Sequence, residues 1–174
     1  MEFNKVLEKR YSCRSYSNKE VEEEKIQKIL EAGNLAPTAK NTQCQKIYVL
    51  KDKDIIQKIE SMRGMFNAPV VLVVCGDKER ECKRFFKQES LMETDLAIVT
   101  TYMMLEATNQ GLGSCWVCYF NEAKTKELLN MPESYEPYNL LLIGYPDEKG
   151  TPSPRHFERR ELSDILCEPW TARY

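Results

Sequence analysis

The sequence lacks the features that mark several large classes of protein. Its one histidine is not accompanied by two closely spaced cysteine pairs, so we expect no zinc site. No apolar run approaches the ~20 residues that span a bilayer, and no charged-then-apolar leader opens the chain. The net charge of −2 is spread over both signs, which leaves no basic face for nucleic acid. We therefore expect a cytoplasmic protein without a metal, a membrane or a nucleic-acid partner.

The seven cysteines are interpreted as reduced thiols, because an odd number cannot complete a disulfide framework. Cys115 and Cys118 have the spacing of a thiol redox motif. Such a motif needs its first thiol at the N-terminus of a helix, whereas this pair enters a predicted strand, where successive side chains point to opposite faces. Thiol chemistry is therefore the minor alternative.

Apolar periodicity predicts one domain in which helices cover both faces of a sheet. Helices are predicted over about Glu22–Asn34 and from Leu91 onward. Strands are predicted over Ile47–Leu50, Val70–Cys75 and Tyr138–Ile143, and the middle one is apolar enough to be buried on both faces. The fold class is α/β or α+β.

Three segments carry the candidate binding residues, and we call the first, Arg10–Tyr16, the arginine segment. An extended chain would place Arg10, Ser12 and Arg14 on the same side. Arginine presents a fork of donors that matches phosphate oxygens, and a hydroxyl between two forks can reach the remaining oxygen. The segment therefore predicts a phosphate site, and the alternative is a solvated charged turn.

The second segment, Pro37–Gln43, is the polar loop. Pro37 biases the residue before it away from the helical conformation, so we expect the preceding helix to end here. Asn41 and Gln43 each offer a donor and an acceptor, which suits the imide edge or the ribityl hydroxyls of a flavin. An ordinary turn is the alternative.

The third segment, Gly111–Cys118, ends a long apolar helix and begins a strand. Gly111 or Gly113 can adopt the left-handed conformation that stops a helix, and the lack of a side chain lets the backbone approach a flat ligand. A helix end that leads into a buried strand accounts for the same residues.

In this order, followed by Arg159 and Arg160, the three segments resemble the FMN-dependent nitroreductase family over about residues 3–166, nearly the whole chain. The matching motifs are Arg-x-Ser-x-Arg-x-Tyr, Pro-Ser-x-x-Asn-x-Gln with Thr38 in place of serine, an apolar helix with an early Asp95, Gly-Leu-Gly-x-x-Trp and Arg-Arg-x-Leu. The resemblance implies a single nitroreductase-like domain over residues 1–174, with a central mixed or antiparallel sheet flanked by helices.

The resemblance also implies a cofactor and an assembly. FMN would be tightly bound at the interface of a homodimer, with NADH or NADPH as a transient reductant. A C-terminal arm over about residues 150–174 would be exchanged between subunits, and terminal Trp170 and Tyr174 favour this over a disordered end. The implied FMN-binding residues are Arg10, Tyr11, Ser12, Arg14, Pro37, Thr38, Ala39, Asn41, Trp116, Val117, Cys118, Arg159 and Arg160, with Arg155 a weaker candidate.

Two classes of function fit these residues. In the first, the flavin N5 receives hydride from NAD(P)H and electrons pass to a nitroaromatic, a quinone or a similar acceptor by a ping-pong mechanism, without a protein acid, base or nucleophile. In the second, the protein stores flavin or senses redox state without turnover. The sequence has no Rossmann fingerprint, in keeping with a nicotinamide that binds only transiently. The short, charged segment from about Asp77 to Ser90 predicts an open site with a permissive acceptor range.

Overall fold

The computed structural model describes residues 1–166, and these contain a four-stranded sheet. The strands are β1 (Gln45–Leu50), β2 (Val70–Asp77), β3 (Gly113–Val117) and β4 (Tyr135–Gly144). They lie in the order β1-β2-β4-β3, and each neighbouring pair is antiparallel. The α+β alternative is therefore confirmed, and the sheet is of the antiparallel type.

Short loops and polar caps separate the helices from the strands. Asp52 begins α3 by accepting hydrogen bonds from the backbone N–H groups of Asp54 and Ile55, because the first N–H groups of a helix have no partner inside it. The helices are α1 (Phe3–Lys9), α2 (Glu23–Asn34), α3 (Lys53–Lys58), α4 (Met92–Asn109), α5 (Glu122–Leu128) and α6 (Leu162–Ile165).

The sheet is covered on both faces, as the apolar pattern predicts. Every residue of β2 is buried, which agrees with its continuous run of β-branched residues. On one face α2 packs against α4, and Ile29, Leu96 and Met103 are fully buried there. On the other face Ile56 of α3 packs near buried Tyr16 of the arginine segment. Burial of each large aliphatic side chain stabilises the fold by about 1.5–3 kcal/mol.

The predicted C-terminal arm is described only in part. From Gly150 to α6 most side chains are exposed, and the Tyr11 hydroxyl donates to the Gly150 carbonyl at 2.5 Å. Trp170 and Tyr174, on which the predicted exchange depends, lie outside the described residues. Between residues 1 and 166, no helix combines the length and the hydropathy needed to cross a membrane.

Candidate functional site

A cavity of about 580 Å³, which we call the cation cavity, opens beside the arginine segment. It is lined almost entirely by donors: Arg10, Ser12, Arg14, Arg63, Ser153, Arg155, His156 and Arg159. No acidic residue belongs to this lining. Its size falls in the range of about 300–1,000 Å³ that is usual for ligand pockets.

Backbone pairing along β3 orients the arginine segment. Ser12 forms a parallel bridge with Ser114, and the Cys13 N–H donates to the Ser114 carbonyl at 2.8 Å. The Cys13 side chain is fully buried, so its neighbours Ser12 and Arg14 point the other way, into the cation cavity. Gly113 permits this close packing, because a Cβ atom there would lie 2.8 Å from Cys13 Cβ.

The cationic charges of the cavity are uncompensated within the described chain. None of its five arginines forms an ion pair with a carboxylate of residues 1–166. The pKa of Arg10 lies below its ordinary value, because burial disfavours the charged form and the Arg159 guanidinium adds repulsion. An anion in the cavity would relieve both effects.

The structure brings together some of the predicted basic residues and not others. Arg159 lines the cation cavity, whereas Arg160 donates to the Asp164 carbonyl at 2.9 Å and does not line it. The Tyr11 side chain points to Gly150 and stands edge-on to His156, with ring centroids 6.3 Å apart. Tyr11 therefore anchors the beginning of the arm beside the cavity rather than lining it.

Sequence reasoning missed three lining residues and undervalued a fourth. Arg63 lies in the loop after α3, far from any matched motif, and Ser153 and His156 lie on the arm. His156 is half-buried. Arg155 lines the cavity together with Arg159. No local pattern in the sequence indicates that these loops meet.

The polar loop is held in a strained conformation. Lys40, Asn41 and Gln43 have φ values of 52°, 54° and 49°, in the left-handed region that residues other than glycine rarely adopt. The loop is fixed by the Ala39 N–H, which donates to Asp95 Oδ1 at 2.9 Å, and by the Gln43 N–H, which donates to the Thr38 hydroxyl oxygen at 3.0 Å. Such strain is concentrated at functional sites.

Buried polar atoms without a partner surround the same loop. Thr42 Oγ1, Gln45 Oε1 and Asp95 Oδ2 are inaccessible and form no hydrogen bond within the described residues. Nearly all buried polar groups in proteins are hydrogen-bonded. The polar loop and the beginning of α4 therefore hold buried polar atoms that could still accept or donate a hydrogen bond.

The arginine segment and the polar loop lie at opposite corners of the sheet. Ser12 pairs with Ser114 of β3, and the row of paired residues across the sheet runs on from there to Val70 of β2. The polar loop leads into Gln45 of β1, and the row of this residue contains Gly76 of β2. The rows are six residues apart along β2, or about 20 Å, and β1 and β3 are three strand spacings apart, or about 14 Å. The two corners are thus about 25 Å apart within one chain.

The end of β3 opens a second cavity of about 700 Å³. Exposed Cys118 lines it, and the Trp116 indole N–H donates to Cys118 Sγ at 3.1 Å. The two cavities are joined by the loop after α3, since Met62 lines one and Arg63 the other. Val117 is half-buried and packs against the core of the α3 face.

The spacing of Cys115 and Cys118 does not bring their thiols together. Cys115 is 3% exposed, and burial raises the pKa of its thiol. Three residues of extended chain span about 10 Å, whereas a disulfide needs Cα atoms within about 7 Å. The expectation that the pair points to opposite sides of β3 agrees with this geometry.

Gly111 ends α4 in the left-handed conformation, with φ 76°, while Gly113 begins β3. The arginine segment, the polar loop and the beginning of β3 all lie within the residues that the family comparison matches. The family model described as Nitroreductase family matches residues 7–63 and 60–145. The chain belongs to the nitroreductase family.

Similar nitroreductase-family proteins cover nearly the whole chain. A crystal structure of a nitroreductase family protein from Clostridium difficile 630 is 38% identical and has a TM-score of 0.89, covering 98% of this chain and 100% of the other. A protein of Archaeoglobus fulgidus, named provisionally as an NADH dehydrogenase/NAD(P)H nitroreductase, is 32% identical over 83% of this chain and 86% of its own.

A third relative was crystallised with the flavin. This Desulfovibrio desulfuricans protein, solved in complex with FMN, is 25% identical and has a TM-score of 0.78, with 98% of this chain and 99% of the other covered. The donors in the present chain suit the same group, since FMN ends in a phosphate that requires several N–H or O–H donors and no neighbouring carboxylate.

Proposed function

We propose that this nitroreductase-family chain is an FMN-dependent oxidoreductase that passes electrons from NADH or NADPH to a nitroaromatic, a quinone or a similar acceptor by a ping-pong mechanism. The observation that carries the proposal is the cation cavity, in which Arg10, Ser12, Arg14 and Arg159 converge without a carboxylate. A phosphate dianion there would receive charge-assisted hydrogen bonds, each worth about 1.5–3 kcal/mol.

When bound, FMN supplies the hydride and electron chemistry, and the protein binds and orients it. The Ser12 hydroxyl would complete the donors around the phosphate. Main-chain groups of Trp116, Val117 and Cys118 would contact the ring edge, because β3 leads from the cation cavity toward the second cavity. A fixed backbone donor beside the ring favours electron density on it without any acid or base.

We infer that two chains share each site. The polar loop, with Pro37, Thr38, Ala39 and Asn41, lies about 25 Å from the arginine segment in the same chain. One flavin that contacts both segments therefore needs the polar loop of a partner. Strain in the loop and the orphaned atoms around it support a role in binding.

An apolar surface beside α4 supports the dimer. A cavity of about 370 Å³ is lined by Met1, Phe3, Val6, Ala32, Tyr102 and Leu105, together with Glu106 and Asn109. Phe3 is 66% exposed and Tyr102 41% exposed. Apolar patches of this kind mark interaction surfaces.

The charged segment after β2 carries two exposed aromatic side chains, which we propose to lie on the acceptor side of the flavin. Phe85 and Phe86 are 83% and 93% exposed at a turn, with ring centroids 5.1 Å apart. The turn is closed by the Arg84 N–H, which donates to the Glu89 carbonyl at 2.8 Å. It leads directly into α4, whose Asp95 holds the polar loop. Two rings beside the flavin ring would favour a flat aromatic acceptor.

Two measurements on the purified protein test the proposal. A flavin absorbance spectrum, with FMN rather than FAD released on denaturation, is expected. Oxidation of NADH or NADPH should then depend on an added nitroaromatic or quinone. A yellow protein that no reductant bleaches would support the alternative, a flavin store or redox sensor. A colourless protein with no affinity for FMN would contradict both.

A further inference from the structure

Asp95 places a buried carboxylate beside the polar loop. It lies in the first turn of α4 and is 3% exposed. Among residues 1–166, its Oδ1 accepts a hydrogen bond from the Ala39 N–H at 2.9 Å, and its Oδ2 has no partner. No lysine or arginine of the same range forms an ion pair with it. Burial of a carboxylate that lacks a cationic partner costs free energy, of which the N-terminus of α4 offsets a part.

The hydrogen bond from Ala39 supplies a cap that the polar loop does not provide for itself. Ala39 begins the helical turn Ala39–Asn41, and Thr38, at the capping position, forms no side-chain bond that caps this turn. The Thr38 hydroxyl instead accepts from the Gln43 N–H at 3.0 Å. The first N–H groups of a helical turn have no partner inside the turn, so their acceptors must come from elsewhere. Asp95, on another element, is the acceptor for Ala39.

The turn needs this support because its backbone is strained. Lys40 and Asn41 inside it have positive φ, as has Gln43 just after it. Residues other than glycine keep this conformation only where the surrounding contacts impose it. The bond to Asp95 holds the beginning of the turn, and the bond from Gln43 holds its end. Asn41 lies between these two supports and is exposed, so its amide is free to meet a ligand.

We propose that Asp95 is a positioning residue of the flavin site. Through the Ala39 N–H, it holds the polar loop in the conformation in which Thr38 and Asn41 contact the flavin. The inference rests on the proposed function, which gives the polar loop a flavin to bind. Because its carboxylate is buried and bonded to the loop, Asp95 acts through the loop and does not touch the cofactor.

Two substitutions separate the hydrogen-bond acceptor of Asp95 from its charge. Asp95→Ala removes both, whereas Asp95→Asn removes the charge and keeps an amide oxygen that can accept from Ala39. If the acceptor is what positions the loop, the second variant should behave as the wild type does. If the charge is what matters, both variants should be impaired equally.

The Kd for FMN is measured by fluorescence titration of each FMN-free variant. We expect Asp95→Ala to raise the Kd about tenfold, or about 1.4 kcal/mol, as the loss of one hydrogen bond would. Asp95→Asn should stay within about threefold of the wild type. The visible circular dichroism of the bound flavin should change in Asp95→Ala and return to that of the wild type in Asp95→Asn, because it reports how the ring is held.

Ala39→Pro removes the same hydrogen bond from its other side, and it replaces Asp95→Ala if that variant does not fold. Proline lacks the N–H and is tolerated at the first position of a helical turn. Thr38 before it is already extended, with φ −127° and ψ 155°, as the residue before a proline prefers to be. The Kd for FMN should rise about tenfold in this variant as well.

Coupling to the polar loop distinguishes positioning from mere stabilisation of α4. In a chain that already carries Thr38→Ala/Asn41→Ala, the addition of Asp95→Ala should change the Kd for FMN by less than about twofold. The contacts that Asp95 positions are then already lost, so the substitutions are not additive. A residue that only stabilised the helix would keep its full effect in that background.

Thr100→Val provides a matched control on the same helix. Thr100 is fully buried, and its hydroxyl donates to the Leu96 carbonyl at 2.8 Å and accepts from Asn139 Nδ2 at 3.0 Å. The substitution removes a buried polar group of α4 without touching the polar loop. It should lower the Tm and leave the Kd for FMN and the flavin spectrum unchanged.

Three results would overturn the inference. The first is a folded Asp95→Ala protein that binds FMN as tightly as the wild type. The second is an Asp95→Asn protein that binds FMN as weakly as Asp95→Ala. The third is an undiminished effect of Asp95→Ala in the chain that lacks the side chains of Thr38 and Asn41. A wild type that binds no FMN would instead contradict the proposed function itself.

Discussion

The cation cavity and the polar loop differ in almost every physical respect. The cavity is assembled within one chain from charged donors that surround open space. The loop is largely neutral and strained, and polar atoms at its base are buried without a hydrogen-bond partner in the part of the chain that the structure describes. A preassembled cationic cavity can bind a phosphate by itself, whereas the base of the loop keeps polar atoms that no residue from 1 to 166 satisfies. Under the proposed function, this difference is the one expected of two halves of one site that two chains contribute.

The largest expected effect comes from removing the cationic half. Arg10→Ala/Arg14→Ala deletes two guanidiniums, each worth about 1.5–3 kcal/mol as a donor to phosphate. The affinity for FMN should therefore fall by about 100-fold or more, at one factor of ten for about 1.4 kcal/mol. Fluorescence titration of the FMN-free protein measures this directly.

The matched control is Arg84→Ala, which removes an arginine on the exposed turn without touching the cation cavity. It should bind FMN as the wild type does. Equal affinity for FMN in the wild type and the double variant would show that the arginine segment does not bind FMN. The cation cavity would then not be one half of a flavin site.

The second prediction tests whether the two halves come from different chains. One chain carries Arg10→Ala/Arg14→Ala and the other carries Thr38→Ala/Asn41→Ala, and the heterodimer is purified through two affinity tags. A shared two-fold site predicts one intact and one doubly defective site, so the heterodimer should bind about half as much FMN as the wild type. Each homodimer should bind little.

The reciprocal heterodimer sharpens this result. When all four substitutions are placed in one chain and the other is wild type, a shared arrangement leaves both sites defective. A site built within a single chain predicts the opposite pattern, with binding in the reciprocal heterodimer and none in the first. A wild type that is monomeric and yellow would also contradict the shared site.

Local patterns predicted the elements of the fold, because periodicity and capping are local properties. The uninterrupted apolar run at Val70 predicted a buried central strand, and Asp52 caps α3 through contacts within its first turn. Strand boundaries differed by a few residues, since β4 begins at Tyr135 rather than Tyr138. Pairing with β2 extends β4 over residues whose own periodicity is weak.

The site could be predicted only where one motif carries several of its residues. Arg10, Ser12 and Arg14 line the cavity together because extended chain alternates. Arg63 and His156 come from distant loops, and only tertiary packing brings them there. The charged composition of the segment after β2 predicts an open site. It gives no indication that two phenylalanines are exposed at the turn of this segment.

A smaller effect is expected from that turn. Phe85→Ala/Phe86→Ala removes exposed rings that support no core, so folding and FMN affinity should be unchanged. The KM for a nitroaromatic acceptor should rise about three- to tenfold, since an aromatic pair contributes about 0.5–1.5 kcal/mol beyond its buried area. The KM for a small non-aromatic acceptor serves as the control. An equal rise for both acceptors would show that the rings do not recognise aromatic character.

The smallest effect is expected from the thiols of Cys115 and Cys118, near the end of β3. Buried Cys115 has a raised thiol pKa, and Cys118 is exposed about three residues of extended chain away, so neither can act with the other as a dithiol. Cys118→Ser should leave NAD(P)H-dependent flavin reduction within about threefold of the wild type, because a hydroxyl retains the acceptor for the Trp116 indole N–H. Iodoacetamide at neutral pH should label Cys118 in the folded protein and reach Cys115 only after unfolding, since alkylation requires an accessible thiolate. Loss of flavin reduction in a Cys118→Ser protein that still binds FMN would show that this thiol takes part in electron transfer. The main-chain groups of β3 would then not be the only groups that act at the edge of the flavin ring.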